Sequence, residues 1–204
     1  MSKPTRVKDK WREKRWYMVV APAAFGNVEV GKIPSATPEG LIGRVVETTL
    51  YNITDDFSQQ HIKLYFQIIN VEGDKAYTIF KGHDLARDYL RSLIRRGSSR
   101  VDGIFTVTTK DGYEIQVAAI SITEHRAKTS QERAIRKIMK EIIERKAEQL
   151  GFDEFVQQAV LGKIASEIYN EAKKIYPLRK VEVRKSELLK KPVEVMAAAP
   201  QAAS

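Results

Sequence analysis

Residues 104–122 read IFTVTTKDGYEIQVAAISI. Two stretches rich in β-branched and apolar residues, Ile104 to Thr109 and Tyr113 to Ile122, are separated only by Lys110-Asp111-Gly112. Asp-Gly is among the strongest short-range hairpin signals, because the tight turn that matches strand twist needs positive φ at both central positions. A chain with such a unit must lay two neighbouring strands antiparallel in a sheet. His61 to Ile69 repeats the theme, with Ile62, Leu64, Phe66 and Ile68 on one face and Lys63, Tyr65 and Gln67 on the other. Gly73-Asp74 then turns the chain into Ala76 to Phe80.

With further strands expected near Trp16 to Val20, Val28 to Ile33 and Gly43 to Leu50, the pattern predicts an α+β fold. Its body is a mainly antiparallel β-barrel over residues 16–125 with one inserted helix, 84–96, capped by Asp84 and stopped by Gly97. A basic flexible arm, 1–15, precedes it. After Thr123 the spacing becomes helical: Thr129 and Glu132 suit a capping box, Ile135, Met139 and Ile142 share a face, and Gly151 suits a stop. This C-terminal helical region, 126–192, carries a short strand near 180–185 and is followed by a small-residue tail, 193–204, expected to be disordered.

The net charge of +9 directs the chain toward polyanions, nucleic acid or an anionic membrane surface. Its distribution is more informative than its size. Residues 1–17, 81–100, 126–147 and 173–192 hold 29 of the 35 Lys and Arg, while the remainder carries six bases against 17 acids. Several basic anchors on one fold suit a partner whose phosphates surround the protein. The competing reading is that each cluster is solvated surface, and Asp84 and Asp88 stand at the right spacing to neutralise the arginines of the inserted helix. Those arginines, Arg87, Arg91 and Arg95, recur every four residues and would stack along one side of a helix.

Motifs for chemistry are weak. Gly26 to Lys32 fits GxxxxGK, but Ile33 stands where a hydroxyl must ligate magnesium, and Pro34 and Pro38 prevent the following helix. His61, His83 and His125 are far apart and lack partners at metal-ligand spacing. Cysteine is absent, which excludes disulfides and thiolate sites, and no apolar run reaches the ~20 residues of a membrane span. No cofactor, metal or small-molecule substrate is expected.

Trp11, Trp16 and Tyr17 are interleaved with Arg12, Lys14 and Arg15, a mixture suited to stacking unpaired bases amid positive charge. Trp11 is the ring expected to meet a base, and Trp16, at the head of an apolar strand, is expected in the core. The surrounding run WREKRWYMVVAPAAF imitates an export signal, cationic then apolar then small. Glu13 within its basic part and Pro22 before the supposed cleavage step argue instead for a junction between arm and first strand.

Collinear blocks carry a family resemblance. Trp16-Tyr17-x-Val19-x-Ala21-Pro22-x-x-Phe25, Val30-Gly31-Lys32 and Gly40-Leu41-x-Gly43-Arg44-Val45-x-Glu47 are followed by Phe80-x-Gly82-x-Asp84-Leu85-x-Arg87-Asp88 and Thr108-Thr109-x-Asp111-Gly112-Tyr113. Ile135-Arg136-Lys137-x-Met139-x-Glu141-Ile142, Ile175-Tyr176-Pro177-Leu178-x-x-Val181-x-Val183-Arg184-Lys185 and Leu189-Lys190-Lys191-Pro192 continue in order. Together they resemble the archaeal and eukaryotic small-subunit ribosomal protein family called S-three-a-e. The resemblance implies a β-barrel with attached helices, bound to small-subunit rRNA on the platform near the mRNA exit and the 3′ end of that rRNA. It implies neighbouring ribosomal proteins and mRNA near the exit as further partners, a cytoplasmic location, no membrane and no catalysis.

The residues expected to clamp rRNA phosphates are Lys8, Lys10, Arg12, Lys14 and Arg15 in the arm, with Trp11 as a base platform; Arg87, Arg91, Arg95, Arg96 and Arg100 around the first helix; Arg133, Arg136, Lys137 and Lys140 on the second; and Arg179, Lys180, Arg184, Lys185, Lys190 and Lys191 near the end. A free-standing RNA-binding regulator of translation has the same physics and stays open as the alternative.

Overall fold

The computed structural model describes residues 11, 12 and 14–192; Lys8, Lys10 and the expected tail lie outside the described residues. Its spine is a hairpin of two eleven-residue strands, β4 (Ile62–Glu72) and β5 (Lys75–Leu85), turned at Gly73, whose φ of +58° suits a residue without Cβ. The alternation read from the sequence holds here: Ile62, Leu64, Phe66 and Ile68 are buried, while Lys63, Tyr65 and Gln67 are not.

β3 (Val45–Thr49) pairs with the outer side of β4. The free side of β5 is divided between two branches. At its start, Lys75, Ala76 and Tyr77 pair in parallel with β1 (Arg15–Val20), which pairs in turn with β2 (Glu29–Ser35). At its end, Gly82, His83 and Asp84 pair antiparallel with β8 (Leu178–Lys190), followed by β7 (Glu114–Thr123) and β6 (Arg100–Thr108). Side chains bridge the fork, since buried backbone groups need partners. Thr78 Oγ1 donates to Val20 O at 2.7 Å on one branch and Lys81 Nζ to Leu188 O at 2.7 Å on the other.

The expected barrel is therefore corrected to an open, forked and mostly antiparallel sheet, with β2, β3 and β6 as unjoined edges among the described residues. The physical reason lies in what fills the inner face. Helices α3 (Thr129–Gln149), α4 (Phe152–Val160) and α5 (Lys163–Ala172) contribute Ile135, Met139, Phe155, Ile164 and Ile168 to the same buried cluster as Phe66, Phe80, Val117 and Val183 of the sheet. A helical layer already covers the apolar face that opposing strands would otherwise close. A smaller cluster of Tyr17, Val19, Leu41, Ile68 and Ala76 holds the β1–β2 branch against the β3–β4 side. Phe25, between β1 and β2, packs against the larger cluster, its ring 5.4 Å from Phe66 and 5.9 Å from Phe80.

Several local expectations change. The strand expected near 180–185 is thirteen residues long, β8, and sits between β5 and β7, so the C-terminal region contributes a central strand to the sheet as well as its helices. Asp84 and Leu85 do not begin a helix. They end β5, held by pairing to Lys63, Ile62 and Lys185, and the helix α2 spans only Arg87–Leu93. Four-residue α1 (Tyr51–Thr54) follows β3. At the start of α3, Gln131 rather than Glu132 closes the box, its Oε1 accepting from Lys128 N at 2.9 Å. The Asp-Gly hairpin exists, but only Gly112 (φ +79°) is left-handed, and its N–H donates to Thr109 O at 2.9 Å. This is the longer hairpin with a left-handed glycine, which releases Asp111 for another task. Its Oδ2 accepts from Phe152 N at 2.8 Å and so caps α4 across the fold. Gly151, expected as a left-handed stop, is extended; an added Cβ would lie 2.7 Å from that carboxylate.

Candidate nucleic-acid interface

Pairing register shows which basic stretches meet. Arg100 of β6 faces Ile122 of β7, and Ile122 faces Lys180 of β8, so Arg100 and Lys180 share a face about 10 Å apart, two strand spacings. Asp102, Ile120 and Glu182 form the next row. From α3, Arg136 Nε donates to Asp102 O at 2.8 Å, and from α2, Tyr89 Oη donates to Glu182 Oε1 at 3.3 Å. Residues from three of the four basic stretches thus converge at one end of β6, β7 and β8. The arm residues lie at the head of β1, on the other branch.

Within this arrangement the cations divide into two groups. Arg87, Arg91, Arg95, Arg96 and Arg133 are exposed and have no acid within ion-pair distance among the described residues. The pairing of Asp84 and Asp88 with the α2 arginines, open from sequence, is not formed. Only Arg87 and Arg91 share the helix, however; Arg95 and Arg96 follow its end, where Ser98 Oγ donates to Arg95 O at 2.7 Å. The expected column of three guanidiniums is a column of two with two more at its foot.

The second group is already partnered. Arg100 meets Asp102 at 2.9 Å, Lys180 meets Glu182 at 3.1 Å, Lys185 meets Glu187 at 2.9 Å and Lys190 meets Glu114 at 2.8 Å. Hydrogen bonding to Glu182 and Glu114 raises the pKa of Lys180 and of Lys190, keeping both ammonium groups charged. Lys137 and Lys140 have looser partners four residues on, Glu141 at 3.7 Å and Glu144 at 3.6 Å, exposed pairs of little strength that a phosphate can displace. Arg179 and Arg184 are half-buried and have no acid within ion-pair distance among the described residues. Lys191 is half-buried too, its pKa pushed down first by burial and then by Lys81. Lys81, half-buried on β5, belongs to the basic stretch 81–100 but is not among the residues expected to contact phosphate.

At the arm, Arg12, Lys14 and Arg15 are exposed. Trp11 is 60% exposed with Lys14 Nζ 4.3 Å above its ring. Trp16, expected in the core, is 57% exposed, because the buried face of β1 belongs to Tyr17 and Val19. Both indoles are thus on the basic surface.

A further group escaped the sequence reading. His61, at the threshold of β4, stacks on Tyr89 of α2 with ring centres 3.8 Å apart and planes 28° apart. Burial lowers the His61 pKa, which favours a neutral ring. The pair lines a cleft of about 560 Å³ that also takes in Tyr169, Asn170, Arg179 and Lys180. From sequence His61 is weighed only as a metal ligand, and no local signal shows that its ring meets Tyr89. Among the described residues no group of His, Asp and Glu is arranged to hold a metal ion, and no helix is long and apolar enough to cross a membrane.

Residues 2–192 match the ribosomal S3Ae family. The chain is similar to the small ribosomal subunit protein eS1 of Desulfurococcus amylolyticus, 56% identical over 183 residues, which cover 90% of this chain and 86% of that one. The protein of the same name from Staphylothermus marinus is 56% identical with the same coverage. That from Saccharolobus solfataricus is 53% identical over 186 residues, 91% of this chain and 89% of the relative. With a match spanning nearly the whole chain and this level of identity to archaeal relatives, the chain belongs to the ribosomal S3Ae family.

Proposed function

We propose that this protein is a structural, non-enzymatic constituent of the small ribosomal subunit that binds rRNA. In this reading it sits on the platform near the mRNA exit and the 3′ end of the rRNA, beside other small-subunit proteins and within reach of mRNA, and works in the cytoplasm with the ribosome. The observation that carries the binding role is the convergence of three basic stretches around Arg100, Lys180 and α3, with the acid-free arginines of α2 at the margin. Phosphate contacts supply position and affinity without sequence readout, which suits a protein that stays in one place on a folded RNA. The sheet and helical layer act as a rigid support holding these cations apart. Lys8 and Lys10 extend the same role into the arm.

Sedimentation of cell extract on a sucrose gradient tests the assignment. The protein is expected in the small-subunit fraction at physiological salt and is released only at high salt. A chain that remains in the light fractions refutes this reading and favours the free-standing regulator. Crosslinking of protein to rRNA within the subunit then tests the named residues, with adducts expected near α2, the start of α3 and residues 179–191.

A further inference from the structure

β8 pairs with β7 along its length, but with β5 only through Lys185, Ser186 and Glu187. Upstream, the strand edge at residues 179–182 has no neighbouring strand among the described residues, and the same residues form one wall of the cleft that contains the His61 and Tyr89 rings. The other walls are the turn between α4 and α5 and the face of α5 bearing Ala165, Ser166 and Tyr169.

We propose that this cleft seats one unpaired rRNA nucleotide, its base against the aromatic rings and the open β8 edge and its phosphate at the basic rim. The inference rests on the rRNA-binding reading above and adds a specific pocket to it. Size is the first support: about 560 Å³ falls within the usual range of roughly 300–1,000 Å³ for small-molecule and cofactor sites. Composition is the second. Unpaired bases are held by stacking on aromatic rings together with hydrogen bonds to their edges, and the cleft offers both. The rings are His61, Tyr89 and Tyr169, and the small residues Gly162, Ala165 and Ser166 leave room for a flat group to slide in.

Hydrogen-bonding capacity is the third support. Backbone N–H and C=O groups on an unpaired strand edge need partners, and the residues of this edge line the recess. The Glu182 carboxylate, held by Tyr89 Oη at 3.3 Å and Lys180 Nζ at 3.1 Å, adds an acceptor for a base amino or imino group. The neutral His61 imidazole supports stacking without repelling the cations around it. Position is the fourth. Arg179 and Lys180 line the cleft, and Lys173 lies 5.8 Å over the Tyr169 ring. A backbone gripped at these points crosses the mouth and can deliver a base inward. A peptide strand is a poorer fit, because the open edge is only four residues long and ends at Val183, whose carbonyl is already taken by His83.

Ultraviolet crosslinking of intact small subunits, read by mass spectrometry, tests this. Nucleotide adducts are expected on peptides containing His61, Tyr89 or Tyr169, in addition to those at α2 and α3. Subunits carrying Ser166→Tyr provide the second arm. Ser166 is an exposed helical position, so the fold is retained, which a thermal melt verifies, while the cleft is filled. The cleft adducts should fall roughly 5- to 100-fold, the scale of one lost base stack, and the crosslinked nucleotide should become reactive to chemical probing. Adducts at α2 and α3 but none in the cleft overturn the pocket and leave the rRNA-binding reading intact. Cleft adducts that Ser166→Tyr does not change also overturn it, since they reveal a surface contact. A crosslink from Lys180 to another protein, with no nucleotide in the cleft, shows a polypeptide occupant and overturns it too. No rRNA adduct anywhere on the protein refutes the parent reading itself.

Discussion

His83 and Ser186 face each other across the single short junction between β5 and β8, with His83 Nδ1 2.6 Å from Ser186 Oγ. The second ring nitrogen, Nε2, is 3.0 Å from Val183 O, and a carbonyl can only accept, so the proton resides on Nε2 and the Ser186 hydroxyl donates to Nδ1. The joint that holds two branches of the sheet together is thus a neutral, fully buried histidine. Burial holds its pKa below the ordinary value.

This joint gives stability a pH dependence of defined sign. An unfolded histidine takes up a proton near its ordinary pKa of ~6.5, whereas the folded ring resists it, so the unfolded chain binds more protons as pH falls. Stability is fully present above ~6.5 and declines below it, by at most about 1.4 kcal/mol per pH unit from this group, until the folded pKa is reached. His83→Leu should cost roughly 1–3 kcal/mol at pH 7.5 for each buried group left unpaired, Ser186 Oγ and Val183 O. It should also flatten the decline between pH 6.5 and 5. Denaturant melts at several pH values measure both, and an equally steep decline in the variant would show that His83 is not its source.

Gly82 sits at the same crossing, and a Cβ there would press into Ser186 O closer than real Cβ atoms come to other atoms. Because the obstacle is backbone, Gly82→Ala must push β5 and β8 apart. At Gly103 the obstacle is the tip of the Phe105 ring, 2.5 Å away, on a side chain that can turn. Gly82→Ala is expected to cost about 2 kcal/mol or more and Gly103→Ala less, with overpacking typically in the range of ~1–3 kcal/mol. Comparison of their melting temperatures decides the order.

Asp111 caps α4 from the β6–β7 hairpin and also bears on Asp153, whose pKa is raised by burial first and by the Asp111 charge second. Asp111→Ala should destabilise by about 1 kcal/mol, the usual worth of a helix-capping side chain. Asp111→Asn keeps an acceptor for Phe152 N but removes the charge, so the Asp153 pKa should fall while remaining above its ordinary value. Carboxyl titration by NMR reads the shift directly.

RNA binding should distinguish the two groups of cations. Replacing Arg87, Arg91 and Arg95 with alanine removes guanidiniums that have no acid partner among the described residues, and the slope of log affinity against log salt should become shallower by roughly 0.9 for each lost phosphate contact. Replacing Lys180, Lys185 and Lys190 removes charges already shared with Glu182, Glu187 and Glu114 and should change the slope less. Filter binding of an rRNA fragment across a salt series gives both slopes, and equal losses would mean that the acid pairs dissolve on contact with RNA.

Much of the site's inventory was legible in the sequence, because charge is a property of composition and needs no fold to be counted. The division into four basic stretches was read from order alone. What could not be read was which cations keep an acid for themselves: Lys180 and Glu182 are near in sequence, but Lys190 finds Glu114 from a different strand. The His61–Tyr89 stack is equally remote from local patterning, since its two rings come from a strand threshold and a helix that meet only after folding.

By itself the sequence determined the strands of β4–β5 and β6–β7, the helical layer after Thr123 and the polyanionic class of partner. Each depends on short-range periodicity or turn chemistry, or on charge, within a few residues of chain. Tertiary structure alone decided that the sheet forks and stays open, that Asp84 extends a strand instead of capping a helix, and that residues 178–190 close the gap between β5 and β7. These outcomes depend on which faces and edges compete for the same partner across the whole chain. Once α3, α4 and α5 cover the apolar face, barrel closure has nothing left to bury.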